Sequence, residues 1–220
     1  MRRNILYELA RTFVQAYSRL MLRMDIQSYA ALPRGPKLFI ANHPSATDPF
    51  LVHLLERMSV LITANAFAFP IMGAFLRHVE QVAVSPGGDA LEQAVRLLQQ
   101  GKSVCIFPEG TFSPQEGGFG EPRTGAARIV LATGVPVIPV GIFLPRERSI
   151  RIASNLIGRP TVGYWYLHGP YVVTIGKPMQ FEGDVEDHEC VHSVTATMMD
   201  HIKSLAQESE RRLQSRLAPV

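Results

Sequence analysis

Short apolar runs recur along this chain, and each is followed by a segment with helical periodicity. The runs at 38–41, 60–64, 82–84, 104–107, 137–142 and 172–175 read as strands, because brief apolar stretches bounded by turn residues suit buried strands. Segments 48–57, 89–100, 125–133 and 185–217 carry helical spacing. The second of these ends at Gly101, a residue suited to a left-handed cap. Such alternation implies an α/β fold: a single domain with a mixed, largely parallel sheet flanked by helices. A chain of 220 residues supports one substantial core and leaves little room for a second full domain. No internal repeat, low-complexity tract or linker is evident. Segment 145–170 fits the alternation least and reads as an elaborated excursion.

Charge is distributed unevenly. The net charge is +3, yet residues 1–24 hold Arg2, Arg3, Arg11, Arg19 and Arg23 against one acid, Glu8. The same segment places Leu6, Leu9, Ala10, Phe13, Tyr17, Leu20, Met21 and Met24 on a helical stripe. Two readings stay open: a basic amphipathic helix lying in an anionic membrane surface, or a helix packed on its own domain with a solvated basic face. The division expected is residues 1–24 as a membrane-associating helix and 25–220 as the remaining domain. No secretory signal is evident, because no unbroken apolar core and small-residue cleavage site follow the basic start. Residues 58–76 carry no charge, near the length of a spanning helix. Pro70, Ser59, Thr63 and Asn65 argue instead for a buried strand and then a short helix from about Pro70. Two cysteines, Cys105 and Cys190, are too few for a disulfide framework and fit a reducing compartment. Cys105 stands in an apolar run and reads as a buried small hydrophobe.

Two constellations carry chemistry. Asn42-His43-Pro44-Ser45-Ala46-Thr47-Asp48 follows the first apolar strand directly, where α/β domains place functional groups. His43 can serve as a general base. Asp48 can fold back across the turn, accept a hydrogen bond from the ring and stabilise the imidazolium. The plainer alternative is a surface histidine beside a helix-capping aspartate. Phe107-Pro108-Glu109-Gly110-Thr111 follows another strand, and Gly117, Gly118 and Gly120 come next. Backbone N–H groups of such a loop can bind a phosphate or a developing oxyanion. Arg123 and Gly125 then open a helix, where an anion is favoured.

These motifs resemble those of the glycerolipid (1-acylglycerol-3-phosphate, or lysophospholipid) acyltransferase superfamily. The Asn-His-x4-Asp hallmark matches Asn42, His43 and Asp48; Phe-Pro-Glu-Gly-Thr matches Phe107–Thr111; a Val-Pro-x-x-Pro-Val block matches 135–140. The resemblance covers roughly residues 35–180. It implies an O-acyltransferase of phospholipid biosynthesis that moves a fatty acyl chain from acyl-CoA or acyl carrier protein to a lysolipid hydroxyl. His43 would be the base and Asp48 its orienting partner. Glu109, Gly110, Thr111, Arg123 and Arg77 would bind the acceptor. No metal or other cofactor is required. No Gly-x-Ser-x-Gly elbow is present, so direct attack by an activated acceptor hydroxyl is simpler than an acyl-serine.

One position departs from the family. An arginine that binds acceptor phosphate is expected after the 82–84 strand, and Ser85 stands there. The departure weakens the case for a lysophosphatidic acid acceptor and raises that for another lysophospholipid, a lyso-aminolipid or a glycolipid hydroxyl. A rival motif, His188-Glu189-Cys190-Val191-His192, has the His-Glu-x-x-His form of a zinc hydrolase, with both histidines on one helical face. The metzincin extension fails at Thr195 and Met198. A non-catalytic lipid-binding module is the other alternative, opposed by the intact His43 and Asp48. Nucleic acid is not an expected partner, because the basic residues are not interleaved with stacking aromatics. The expected location is peripheral, on the cytoplasmic face of a membrane.

Overall fold

The computed structural model describes residues 5–85, 87–155 and 160–217. The amphipathic segment forms α1 (Ile5–Leu20), and edge strand β1 (Asp25–Ser28) follows it. β2 (Leu38–Ala41) leads into the short α2 (Asp48–Leu51), which tightens into a 3-10 turn at Val52–Leu54. Next come β3 (Met58–Thr63), α3 (Ala64–Phe67), α4 (Pro70–His78) and β4 (Val82–Val84). Then follow α5 (Ala90–Gln99), β5 (Ser103–Ile106), α6 (Gly125–Thr133) and β6 (Val137–Phe143). A hairpin of β7 (Ile150–Ser154) and β8 (Thr161–Trp165) precedes β9 (Val172–Ile175) and the long α7 (His188–Leu217).

The main sheet runs β1-β9-β6-β2-β5-β3-β4. Five neighbouring pairs are parallel, and β9 lies antiparallel to β6. The mixed, largely parallel α/β fold expected from the alternation is therefore present. Period-two alternation along each strand divides the core between two faces. Leu38, Ile40, Val104 and Val137 pack beneath α5, α6 and α7. Phe39, Ala41, Cys105, Ile138 and Val140 pack on the other face against Leu22, Leu51, Val52, Tyr166 and Tyr171. α7 comes close to the sheet because Gly141 has no side chain: a Cβ there would lie 2.1 Å from the Ala206 nitrogen. Ser209 Oγ donates to the Gly141 carbonyl at 2.9 Å at the same contact. α7 begins three residues later than expected, because Asp187 Oδ1 accepts from the N–H groups of Glu189 and Cys190 and so caps it.

The N-terminal helix packs one side on the domain and leaves apolar side chains of another side exposed. Val14 and Tyr17 pack toward the domain, Ser18 and the following Leu22 are buried, and Tyr17 Oη donates to the Leu167 carbonyl. Leu9, Phe13 and Leu20 nevertheless stay 63%, 72% and 79% exposed. The uncharged 58–76 segment is a buried strand followed by two short helices, as its polar residues and Pro70 required. Among the described residues no helix is long and apolar enough to cross a membrane.

Candidate active site

The two motif loops leave adjacent strands, β2 and β5, at the same sheet edge. Asn42 fixes the first loop. Its Nδ2 donates to the Ile142 carbonyl and its Oδ1 accepts from the Ile142 N–H, both at 2.8 Å. The side chain thereby continues the β2–β6 ladder one step past the end of the strand, and Asn42 itself is buried.

His43 Nδ1 lies 2.9 Å from Asp48 Oδ2. The ring is 15% exposed and the carboxylate fully buried. That carboxylate is well satisfied for a buried anion. Oδ2 also accepts from the Ser45 N–H at 2.8 Å, and Oδ1 accepts from Tyr171 Oη at 2.7 Å. Burial, reinforced by the Asp48 charge, pushes the Tyr171 phenol well above its ordinary value. The hydroxyl therefore stays protonated and can donate. The imidazole stacks on Phe107, with centroids 4.2 Å apart and planes 17° off parallel, and Phe112 leans on it at 4.7 Å. With Nδ1 held by the carboxylate, Nε2 is the nitrogen left to receive a proton. Cys105 is wholly buried and its thiol is pushed far up by burial, so it is no nucleophile at neutral pH.

Glu109 is placed differently from the expected acceptor ligand. It is 2% exposed. Its Oε1 accepts from Ser113 Oγ at 2.6 Å and the His43 N–H at 3.2 Å, and its Oε2 accepts from the Gly120 N–H. The carboxylate thus ties the β2 loop, the β5 loop and the glycine-rich loop together. Gly110 and Thr111 are exposed beside it. Gly110 has φ +64°, and a Cβ there would lie 2.6 Å from Arg123 Nε, so the Arg123 side chain lies across this glycine. The Arg123 N–H donates to the Pro108 carbonyl at 2.8 Å. Arg123 is exposed and makes no ion pair among the described residues. Gly110, Thr111 and Arg123 therefore lie around the loop of Glu109, whose Oε1 accepts from the His43 N–H. Arg77 stands on α4, exposed, with its guanidinium donating to the Phe67 carbonyl at 3.3 Å. Ser85 is exposed just after β4.

Several residues of this site escaped sequence reasoning. Ser113 completes the Glu109 knot and Tyr171 holds Asp48 from 123 residues away, while Gly120, read as part of an anion-binding loop, gives its N–H to Glu109. Tyr164 meets Phe112 edge-on at 5.9 Å. Tyr166, two residues on, is wholly buried. His188 and His192 lie exposed in the first turns of α7. Among the described residues no group of three or more His, Cys, Asp or Glu side chains is arranged to hold a metal ion.

Over 129 residues the chain is 31% identical to the chloroplastic 1-acyl-sn-glycerol-3-phosphate acyltransferase BAT2 of Brassica napus, covering 55% of this chain and 37% of that one. It is 32% identical over 144 residues to the lyso-ornithine lipid O-acyltransferase of Pseudomonas aeruginosa, covering 62% of this chain and 54% of that one. The matches thus span between 37% and 54% of the length of these two relatives. In fold it resembles the 1-acyl-sn-glycerophosphate (LPA) acyltransferase PlsC of Thermotoga maritima, with a TM-score of 0.61 at 22% identity over 88% of this chain and 78% of that one. The family model described as Acyltransferase matches residues 23–143, more than half of the sequence and both motif loops: the chain belongs to the acyltransferase family.

Proposed function

We propose that this protein transfers a fatty acyl chain from a thioester donor, acyl-CoA or acyl carrier protein, to a hydroxyl of a lysolipid acceptor at a membrane surface. The observation that carries the reading is the buried, triply bonded Asp48 carboxylate holding Nδ1 of His43. His43 Nε2 takes the proton of the acceptor hydroxyl as its oxygen attacks the thioester carbonyl. The tetrahedral oxyanion collapses and expels the thiolate, which recovers the proton from the imidazolium. Asp48 stabilises that imidazolium through charge and orientation. Arg123, exposed beside Gly110 and Thr111 and free of acidic partners among the described residues, binds the acceptor head group. Glu109 acts as a positioning residue through the loops it ties. Ser85 in place of a phosphate-binding arginine and the similarity to a lyso-ornithine lipid enzyme favour a head group other than a bare phosphomonoester. Arg77 serves as a more distant basic contact.

The first 24 residues act as a peripheral membrane anchor on the cytoplasmic face, ahead of a catalytic domain over 25–220. The exposed Leu9, Phe13 and Leu20 and the neighbouring arginines support this. His43→Ala tests the chemistry. Acyl transfer should fall by about 10²- to 10⁴-fold or more with the circular dichroism spectrum unchanged; near wild-type turnover in folded protein refutes the mechanism. Lysolipids with and without phosphate, offered with radiolabelled acyl-CoA and acyl carrier protein, identify both substrates.

A further inference from the structure

We infer that the β7–β8 hairpin is a second membrane contact, which presses the mouth of the His43 site against the lipid surface. The inference rests on the acyl-transfer reading only for its consequence on turnover; the contact itself is argued from the hairpin. β7 pairs with β8 so that Ile150 faces Trp165 and Ile152 faces Gly163 across the ladder. Cross-strand partners share one face, so Ile150, Ile152 and Trp165 lie together. The indole crosses the gap left by Gly163, where a Cβ would lie 2.8 Å from Trp165 Nε1. Ile150 is 50% and Ile152 47% exposed, and Trp165 beside them is part-exposed. The opposite face holds Tyr164, which meets Phe112 of the active site.

Three further observations name the occupant as an anionic bilayer. The first is charge: among the described residues from 145 to 167, the exposed Arg148 and Arg151 stand against one acid, Glu147, with Arg151 on the Tyr164 side of the hairpin, while Arg146 is held by the Pro114 and Gly118 carbonyls. Arginines flanking an apolar surface fit anionic headgroups. The second is continuity with α1. The Gly169 N–H donates to the Met21 carbonyl and Tyr17 Oη donates to the Leu167 carbonyl. The exposed Leu20 and Met21 at the end of α1 and the exposed Leu167 below the hairpin are thereby neighbours. The third is the outer edge of β8, stitched to the catalytic loop. The Ala46 N–H donates to the Tyr164 carbonyl at 2.7 Å, and Ser45 Oγ bridges the Tyr164 carbonyl and the Tyr166 N–H. A hairpin seated in the headgroup layer therefore fixes the height of the His43 loop above the bilayer.

Trp165 is the only tryptophan in the sequence, so its fluorescence reports on this face alone. Vesicles of phosphatidylcholine and phosphatidylglycerol should shift its emission to the blue, and phospholipids brominated on their acyl chains should quench it. Ile150→Ser with Ile152→Ser should weaken vesicle binding by roughly tenfold, remove the quenching and raise the KM for acceptor held in a bilayer. The kcat/KM on dispersed, water-soluble acceptor should stay the same. Unmoved Trp165 emission in protein that sediments with vesicles overturns the inference, because the contact would then be α1 alone. An emission shift with dimer formation in lipid-free buffer also overturns it, because the free edge of β7 would then pair with a second copy. If the double variant does not fold, quenching of the wild-type tryptophan decides the matter. His43→Ala should quench like wild type, so failure of the chemistry and failure of the contact are read separately.

Discussion

Asp48→Asn separates two contributions that an aspartate makes to a histidine base. The Ser45 N–H is a donor only and lies 2.8 Å from Oδ2. In the variant the amide oxygen must occupy that position, where it also accepts from His43 Nδ1–H. The amide NH₂ then faces Tyr171 Oη, which sits 2.7 Å from Oδ1 and can rotate to accept. All three hydrogen bonds survive, and the histidine keeps its proton on Nδ1. Only the charge is lost. For an imidazolium and a carboxylate with charge centres about 4 Å apart, an effective dielectric of about 20 gives an attraction of about 4 kcal/mol. The expected loss in kcat is therefore about 10²- to 10³-fold. A serine-protease triad whose aspartate swap leaves the wrong tautomer loses about 10⁴-fold, so the expected loss here is smaller. The assay is kcat and kcat/KM against pH with acyl-CoA and a dispersed lysolipid. Nitrogen NMR of the imidazole should show the Nδ1–H tautomer retained. A loss of about 10⁴-fold with the Nε2–H tautomer refutes the argument from Ser45 and Tyr171, and no loss removes Asp48 from the mechanism.

Two further predictions concern buried or half-buried groups. Glu109→Ala should destabilise the fold by about 2–4 kcal/mol and lower kcat, since Gly120 N–H loses its acceptor and the loop knot opens; an unchanged melting temperature with only the acceptor KM altered would make Glu109 a substrate ligand instead. Burial pushes the His53 imidazole down to about 4, against the pull of a hydrogen bond to Gln81. Its folded value lies below the unfolded one of about 6.5, so stability should be complete above that pH and fall by about 3 kcal/mol as the pH drops toward 4. Urea midpoints across this range check it, and a His53→Gln variant with the same slope would refute it.

Local pattern decided how much could be read in advance. β2, β4 and β9 form where their apolar runs begin and end, because β2 and β9 are buried, β4 is buried or half-buried, and each is bounded by turn residues. β1 was unreadable: Asp25-Ile26-Gln27-Ser28 is a mostly exposed edge strand whose pairing partner, β9, lies almost 150 residues away. β7 and β8 escaped for a similar reason, since a two-stranded hairpin outside the main sheet needs no continuous apolar run. The helix expected over 48–57 shortens to Asp48–Leu51 and a 3-10 turn, because β3 begins at Met58, two residues sooner than its apolar run implied. In the site, His43 and Asp48 were legible because their spacing of five residues closes one turn. Tyr171 and Ser113 carry no local signal. A motif letter also says nothing of direction, which is why Glu109 could be named correctly as a motif residue and still point inward.

The division of work within the motifs bears on why such a site belongs at a lipid surface. Of the hallmark side chains, Asn42, Asp48 and Glu109 are buried and spent on holding loops or the imidazole. His43, Gly110, Thr111 and Arg123 are the ones that reach solvent. His43 does so through a narrow aromatic frame of Phe107 and Phe112. A reacting thioester needs water kept away from the base, because water competes with the acceptor hydroxyl as a nucleophile. The frame supplies apolar walls on the ring faces only. A bilayer against the β7–β8 hairpin and the exposed stripe of α1 would close the remaining side and deliver the acceptor from it. On this reasoning the ratio of acyl transfer to thioester hydrolysis, more than the rate of either, is what lipid contact should change. Adding anionic vesicles should raise that ratio for the wild type, and should raise it less for Ile150→Ser with Ile152→Ser. An identical ratio with and without vesicles would mean that the protein excludes water by itself.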